Sequence, residues 1–271
     1  MIHSKLGDIQ LRRWTLISKP KFITLIFLPI LTYCLCSCSF DNNPILIASV
    51  ASNATDAFKE IGTQFETATG TKVSFNFSSS GKLTQQIING APVDFFASAN
   101  KEYIDELNQK GLIDPTTETI FAKGRLTLWM PVKIGDKVNN IKDLLLPEIK
   151  IIAIANPDHA PYGIAAIESL KSSGIWDKVN SKIIIGENVN QTMQYGTSGN
   201  ADVVIVPLSL SIIEPEGKYL IIKGDLHNDI EQSMAIIKNS QNKQKALKLL
   251  DFILSDAGKT ILEKFGYYIP P

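Results

Sequence analysis

The chain has 271 residues, which is enough for one large domain or two of ordinary size. Lysine plus arginine and aspartate plus glutamate each number 27, so the formal net charge is zero and no basic face for nucleic acid is indicated. The apolar share of 44% excludes a disordered chain and predicts a globular protein with a substantial core.

The N-terminus has the features of a secretion signal. Basic residues precede the apolar run FITLIFLPILTY, which is too short for a membrane span of about 20 residues but suits the core of a signal peptide. The stretch LCSC follows, and its small Ser37 before Cys38 makes it look like a lipobox. We therefore expect a lipoprotein-type signal peptide over residues 1–37, lipid on Cys38 and a tether over residues 38–43. Cleavage near this point without lipid attachment stays open.

Cysteine and histidine are used sparingly in the body of the chain. All three cysteines lie before residue 39, so we expect neither a disulfide framework nor a zinc site beyond the leader. The histidines are His3, His159 and His227, and His159 falls in a predicted loop. We expect His3 and His227 to have no acidic, serine or cysteine companion nearby, and we expect all three histidines to be surface residues without a catalytic role.

From residue 44 onward, strand patterns and helix patterns alternate along the chain. The predicted strands are PILIASV (44–50), TKVSFNF (71–77), VDFFASA (93–99), GRLTLWMP (124–131), KIIAIANP (150–157), SKIIIGEN (181–188), ADVVIVPLS (201–209) and IEQSMAIIKN (230–239). The predicted helices are residues 53–70, 81–90, 100–111, 141–145, 162–174, 189–199, 242–256 and 257–266. Short connections between alternating strands and helices predict a parallel α/β architecture.

The α/β pattern occurs twice. One block runs from residue 44 to about residue 123 and the other from about 124 to about 227, and the remaining residues could complete either block. Two α/β lobes joined by crossovers would enclose a ligand between them, at the carboxyl ends of their strands.

Four corners at which a strand leads into a helix carry small or polar residues. A helix start offers unpaired N–H groups and the positive end of the helix dipole, so several converging starts can hold an anion without any cationic side chain. Taken singly, each corner also fits ordinary N-capping. The four corners are Ser52-Asn53, Ser79-Ser80-Gly81, Pro161-Tyr162-Gly163 and Asn188-Val189-Asn190.

No catalytic motif is found. Gly81-Lys82 is followed by Leu83, and Asn76 stands where a P-loop has its first glycine. The stretch GTSGN (196–200) lacks the final glycine of a nucleophile elbow. Since no nucleophile and base can be paired, we do not expect an enzyme.

Several stretches resemble the periplasmic molybdate-binding proteins of the ModA family. The most specific are SSGKL followed by GAPVDFF, and NPDHAPYGIAA, and the resemblance covers residues 44 to 271. It implies an α/β, type II periplasmic-binding-protein-like fold with two lobes and a hinged interlobe cleft. Residues 44–123 and 228–271 would form lobe I, and residues 124–227 would form lobe II. The ligand-binding positions that it implies are Ser52, Asn53, Ser80, Tyr162 and Val189.

The same resemblance implies the function. The protein would capture molybdate, and tungstate as well, and deliver it to an ABC transporter permease with a cytoplasmic ATPase. The oxyanion would be held through its oxygens, with no cofactor and no direct protein ligand to the metal. We expect a monomer in the periplasm or on the outer face of the cell envelope, anchored to a membrane through Cys38.

The sequence leaves open whether a protein of this fold binds another oxyanion. Some family members carry a tyrosine where this chain has Pro207, and others carry one at the position of Tyr162, as here, so the balance between molybdate and tungstate is not fixed. The alternative is a binding protein for sulfate or phosphate. Phosphate keeps a proton near neutrality and would need an acceptor, and the carboxylate nearest to a corner is Glu187. Lys82 is the one nearby cation, and we expect it to point outward.

Overall fold

The structure, a computed structural model, describes residues 45–270. The expected signal peptide (1–37), the lipidation site Cys38 and the tether (38–43) lie outside the described residues. Within residues 45–270, no helix has the length and apolar character needed to cross a membrane.

The described residues form ten strands in two sheets of five strands each. The strands are β1 (Leu46–Ala51), β2 (Val73–Ser78), β3 (Phe95–Ser98), β4 (Thr119–Gly124), β5 (Leu126–Pro131), β6 (Ile152–Ala155), β7 (Ile183–Gly186), β8 (Val203–Pro207), β9 (Gly217–Ile221) and β10 (Ile230–Ile236). The first sheet has the order β2-β1-β3-β10-β4, and the second has the order β7-β6-β8-β5-β9.

Ten α-helices accompany these strands in residues 45–270. They are α1 (Thr55–Thr69), α2 (Ser80–Ile88), α3 (Glu102–Gln109), α4 (Val132–Gly135), α5 (Pro161–Ser172), α6 (Trp176–Val179), α7 (Val189–Thr197), α8 (Leu208–Ser211), α9 (Lys243–Leu254) and α10 (Asp256–Lys264). Short 3-10 turns cover Ser52–Ala54 and Ile141–Leu145, so the helix predicted from residue 53 opens with a tighter turn.

Two expectations about the sheets were wrong. The strands are not all parallel, because β10 runs antiparallel to both β3 and β4, and β5 runs antiparallel to both β8 and β9. These strands follow the two passages of the chain between the sheets, so they do not arrive through the helical crossover that parallel neighbours require. In addition, β4 and β9 were not predicted as strands. Both lie at sheet edges, where one neighbour suffices and the apolar signal is weak.

Helices cover both faces of the first sheet. On one face, Phe58 and Phe65 of α1 pack with Leu249 of α9 in a buried cluster. On the other, Leu83 of α2 and Ile104 of α3 pack against Phe96 of β3, which points away from its neighbours in the strand. We call this sheet and its helices the first lobe.

The second lobe consists of the second sheet and the helices that pack on it, mainly α5 and α7. Its core centres on Trp129 and on the continuous apolar strand β8. The chain passes between the sheets from β4 to β5, with Arg125 between them, and again over residues 222–229 before β10. This membership is compatible with the predicted lobe boundaries, which stay a prediction.

Four helix starts follow the carboxyl ends of parallel strands. The 3-10 turn Ser52–Ala54 follows β1, α2 follows β2, α5 follows the loop after β6, and α7 follows β7. In each lobe the parallel pair of strands brings two such starts to the same edge of the sheet. The fold therefore directs four helix starts toward the space between the lobes.

Candidate functional site

All four predicted corners meet at one small cavity of about 10 Å³. The first lobe contributes six lining residues and the second lobe four. They are Ala51, Ser52, Asn53, Ser79, Ser80 and Ala99, and Ala160, Pro161, Tyr162 and Val189. The five residues that the resemblance implied are thus brought together, and none lies elsewhere.

The cavity has no charged side chain in its lining. Its volume is below the roughly 300–1,000 Å³ of sites for drug-sized molecules. The groups that line the cavity are hydroxyl groups, backbone N–H groups and apolar side chains. Such a lining suits a small anion better than an organic metabolite.

Ser80, the first residue of α2, has its hydroxyl oriented by the backbone. Its Oγ accepts a hydrogen bond from Ala99 N–H at 2.9 Å, which leaves the hydroxyl proton free to be donated. Ser80 is buried, with 1% of its surface exposed. Nearby, Gly81 N–H donates to the His159 carbonyl at 3.0 Å and Leu83 N–H donates to the Ser79 carbonyl at 3.1 Å. The N–H of Ser80 itself has no intrahelical acceptor.

At the first corner, the side chain of Asn53 is bonded within the protein, while its backbone N–H is available to a ligand. Asn53 Nδ2 donates to Gln232 Oε1 at 2.7 Å and to the Tyr267 hydroxyl at 2.8 Å, so both amide hydrogens are committed within the protein. The Asn53 carbonyl accepts from Ser209 Oγ at 2.7 Å. What remains for a ligand is the N–H of Asn53. The Ser52 hydroxyl makes no hydrogen bond with another described residue and lines the cavity.

Tyr162, the second residue of α5, has no intrahelical acceptor for its N–H. Its phenol oxygen is buried and has no hydrogen-bond partner within residues 45–270. A Cβ on Gly124 would collide with that oxygen, which therefore lies where β4 passes into β5. Burial raises the pKa of the Tyr162 hydroxyl well above its ordinary value, and the group is neutral at physiological pH.

Val189 begins α7 directly after its capping residue. Asn188 Oδ1 accepts from Asn190 N–H at 3.0 Å and from Gln191 N–H at 3.1 Å. The cap thus satisfies the second and third N–H groups of the helix but not the first. Val189 N–H is left for a group in the cavity, and the apolar side chain cannot donate.

The rim of the cavity is formed by contacts between the two lobes that the sequence did not reveal. Ser79 Oγ lies 2.8 Å from His159 Nδ1, and His159 also accepts the N–H of Gly81 on its carbonyl oxygen. Lys82 forms an ion pair with Glu187, which lies 3.7 Å from His159 Nε2. We call these five residues the clasp.

The clasp corrects one expectation and confirms another. His159 is not an isolated surface histidine, because it touches the serine corner of the opposite lobe. Ser79 is 80 residues away from His159 in sequence, so no local pattern could have found this contact. Lys82 does point out of the cavity, and its hydrogen bond lowers the pKa of Glu187.

Comparison with known proteins gives the family. Residues 46–268 match the model of the family described as bacterial extracellular solute-binding protein. A molybdate-binding protein of Rhodobacter capsulatus is 33% identical over 224 residues, which cover 82% of this chain and 87% of that protein. That of Azotobacter vinelandii is 31% identical over 226 residues, which cover 81% of this chain and 88% of that protein.

Solved structures agree with the fold. The periplasmic molybdate-binding protein of Azotobacter vinelandii superposes with a TM-score of 0.78 at 29% identity, covering 83% of this chain and all of that one. A sulfate-binding protein of Mycobacterium tuberculosis has a TM-score of 0.70 at 14% identity, covering 82% of this chain and 85% of that one, and shows the fold alone. The expected type II periplasmic-binding-protein-like fold and the resemblance drawn from the motifs are confirmed. The chain belongs to the bacterial extracellular solute-binding protein family.

Proposed function

We propose that the protein captures molybdate between its two lobes and delivers it to an ABC transporter. The observation that carries this proposal is the cavity itself, where helix starts from both lobes and two serine hydroxyls converge with no charged side chain. The relatives at 33% and 31% identity are named molybdate-binding proteins, which supports the choice of anion.

The proposed ligand contacts are neutral donors. Ser52 and Ser80 would donate hydroxyl protons, while Asn53, Tyr162 and Val189 would donate backbone N–H groups to the oxygens of the anion. A dianion bound this way needs no counter-ion, because hydrogen bonds to a charged partner contribute about 1.5–3 kcal/mol each. The helix dipoles add to this attraction.

Sulfate and tungstate have the same shape and charge, so they stay within the proposal as competing ligands. Phosphate is disfavoured by the lining, because the proton that it keeps near neutrality would face no carboxylate. Glu187 does not line the cavity and is paired with Lys82 at the rim. Tungstate resembles molybdate most closely, and we propose that it binds as well.

We infer a binding protein and not an enzyme, although Ser79 and His159 form a pair of the kind that activates a nucleophile. The two residues belong to opposite lobes, so the contact depends on closure. Glu187 also lies 3.7 Å from the ring, which is too far for the hydrogen bond that orients a catalytic histidine. A closing contact accounts for this geometry, and the relatives are solute-binding proteins.

Membership of an extracellular family supports a location outside the cytoplasm. We further propose a monomer that meets a permease with a cytoplasmic ATPase and is anchored by lipid on Cys38. Cys38→Ala should abolish labelling by radioactive fatty acid in growing cells and leave the mature domain folded. Persistent labelling of this variant would contradict the assignment of Cys38.

The decisive experiment is thermal unfolding of the purified wild-type protein with molybdate, tungstate, sulfate or phosphate. A ligand present at 100 times its dissociation constant adds about 2.7 kcal/mol of stability, which is roughly 5–10 °C for a domain of this size. We expect that rise with molybdate and tungstate, a smaller one with sulfate and none with phosphate. The proposal would be contradicted if only phosphate raised the unfolding temperature, or if none of the four oxyanions raised it.

A further inference from the structure

Gln232 is a fully buried polar residue on β10 that lies outside the cavity lining. Its amide nitrogen donates to the Ala99 carbonyl at 3.1 Å and to the Ile230 carbonyl at 3.2 Å. Its oxygen accepts from Asn53 Nδ2 at 2.7 Å. Both hydrogens and one lone pair of the amide are therefore used, and the two carbonyl partners fix which end is nitrogen.

One of these bonds leads to the first corner of the site. Asn53 is held by Gln232 from one side and by the Tyr267 hydroxyl from the other, and its own carbonyl receives Ser209 and Tyr267. The Asn53 side chain is thus locked, which fixes the direction of the adjacent N–H group. The position of Ser52 is fixed by the same turn.

A second bond leads to the serine corner. Gln232 holds the carbonyl of Ala99, and the N–H of the same Ala99 donates to Ser80 Oγ at 2.9 Å. Ala99 follows β3 and lines the cavity itself. The orientation of the Ser80 hydroxyl therefore depends on where Gln232 holds this residue.

Gln232 also lies where the chain re-enters the first sheet from the second lobe. The ladder between β10 and β4 shifts its register between Gln232 and Ser233. A Cβ on Gly124, at the other passage between the sheets, would lie 3.2 Å from Gln232 Nε2 and would collide with the Tyr162 hydroxyl. One amide thus lies next to both passages and contacts two of the four corners, directly or through Ala99.

From this geometry we propose that Gln232 is a positioning residue for oxyanion binding: it sets the Asn53 N–H and the Ser80 hydroxyl at the spacing that the anion needs. The inference rests on the proposed function, because it assigns a task within the same site. Gln232 does not touch the anion and acts through Ala99 and Asn53. A glutamine is required because a single group must donate twice and accept once at this reach.

The test is a double-mutant cycle read by titration calorimetry with molybdate. Gln232→Met keeps the length of the side chain and removes its hydrogen bonds, and Gln232→Asn keeps the amide but withdraws it by one methylene group. Ser80→Ala is combined with each variant. The matched control is Ser233→Ala, because Ser233 is the next residue in β10, is equally buried and gives up one hydrogen bond to the Thr119 carbonyl away from the cavity.

We expect Gln232→Met to weaken molybdate binding by about tenfold or more, and Gln232→Asn by less, while Ser233→Ala binds like wild type. In the Ser80→Ala background the loss caused by Gln232→Met should shrink by about threefold or more, since residues that act through a shared contact are not additive. A residue that only stabilises the fold would lower the unfolding temperature without producing this coupling.

Three outcomes would overturn the inference. Unchanged affinity in Gln232→Met removes the positioning role, and an equal loss with and without the Ser80 hydroxyl shows that Gln232 does not act through that corner. Failure of both Gln232 variants to fold assigns the residue to stability alone. If the wild type and Ser233→Ala fail to bind molybdate, the proposed function itself is wrong, which is a distinct result.

Discussion

The hydroxyl of Ser80 has one partner in the protein and can donate to a second group. Its oxygen accepts the N–H of Ala99, which fixes the oxygen in place, and its proton remains to be donated into the cavity. Capping alone would not require this arrangement, because Ser79, and not Ser80, occupies the N-cap position of α2. Helix capping therefore does not account for the orientation of the Ser80 hydroxyl, which stays a proposed ligand contact.

Ser80→Ala should weaken molybdate binding by about 1.5–3 kcal/mol, which is roughly a tenfold to hundredfold loss of affinity. Titration calorimetry measures the change. The control is Ser169→Ala in α5, because that serine is also fully buried and hydrogen-bonds to a backbone carbonyl, but it does not line the cavity. Equal affinity of Ser80→Ala and the wild type would remove the Ser80 hydroxyl from the site.

Two substitutions at Val189 can distinguish a role of its backbone N–H from a role of its side chain. Val189→Ala keeps the N–H and should bind molybdate within about threefold of wild type, whereas Val189→Pro removes the donor and should bind at least about tenfold more weakly. Proline is tolerated at the first helical position, and Asn188 already has the extended conformation, φ −152° and ψ 179°, that suits a residue before proline. Circular dichroism should show both variants folded. If the two bind alike, Val189 is merely the first residue of a helix.

The start of α2 is one of the elements that bring the lobes into contact. Gly81 lies so close to the second lobe that an added Cβ would be 2.8 Å from His159 Cβ and 3.0 Å from His159 Cα. The phenol oxygen of Tyr103 would be 2.7 Å away on the other side. The backbone of His159 cannot give way as a flexible side chain can, so a larger residue would hold the lobes apart.

Gly81→Ala should weaken molybdate binding by about tenfold, mostly through faster dissociation, because the clasp can no longer close fully. The unfolding temperature of the unliganded protein should change little. Stopped-flow fluorescence measures the dissociation rate. Gly224→Ala is the matched control, since no atom lies within 4 Å of its added Cβ. A Gly81→Ala protein with the wild-type dissociation rate would show that this contact does not limit ligand release.

The sequence predicted the elements that have a strong periodic signal and a clear end. Helix α1 ends where Gly70 was expected to end it, at a φ of 69° that favours glycine. The edge strand β4 escaped prediction because TIFAKG mixes polar and apolar residues without a strong pattern. The antiparallel strands escaped because strand direction depends on how the chain passes between sheets, which no short window records.

For the site as well, the sequence predicted features with a local signature and missed contacts between distant residues. The four corners could be found because helix starts after strands have local signatures, and the family motifs named the residues among them. The partners of those corners could not be found, since Gln232 lies 179 residues from Asn53 and reads as an ordinary polar residue in a strand. The resemblance named Asn53 as a ligand-binding position, but it did not reveal that Gln232 and Tyr267 accept both hydrogens of the Asn53 side-chain amide.

At the scale of the whole molecule, the contacts between the two lobes include two layers around the site. The inner layer is the cavity, which neutral donors from both lobes line. The outer layer is the clasp, where Lys82 pairs with Glu187 and Ser79 contacts His159. An anion bound at the proposed site would contact both lobes, and binding would then be coupled to closure.

The clasp and the cavity together predict how binding depends on pH. Burial raises the pKa of Tyr162 and of Tyr267, so both stay neutral well above pH 8. The Lys82 hydrogen bond lowers the pKa of Glu187, so its contribution to closure is fully present above the ordinary glutamate value of 4.5 and is lost only as pH falls through the lowered one. Tyr162, Tyr267 and Glu187 therefore keep their charge states between about pH 6 and 8.

Affinity for molybdate should therefore be nearly flat between about pH 6 and 8, where molybdate itself stays fully ionised. The hydrogen bond between Ser79 and His159 can form with either residue as the donor, because a hydroxyl both donates and accepts. Calorimetry at constant ionic strength across this range measures the dependence, with His159→Gln as the comparison. A steep rise in wild-type affinity as pH falls, abolished in His159→Gln, would show that a positive charge on the clasp controls binding. In that event a site made of neutral donors alone would not account for anion capture.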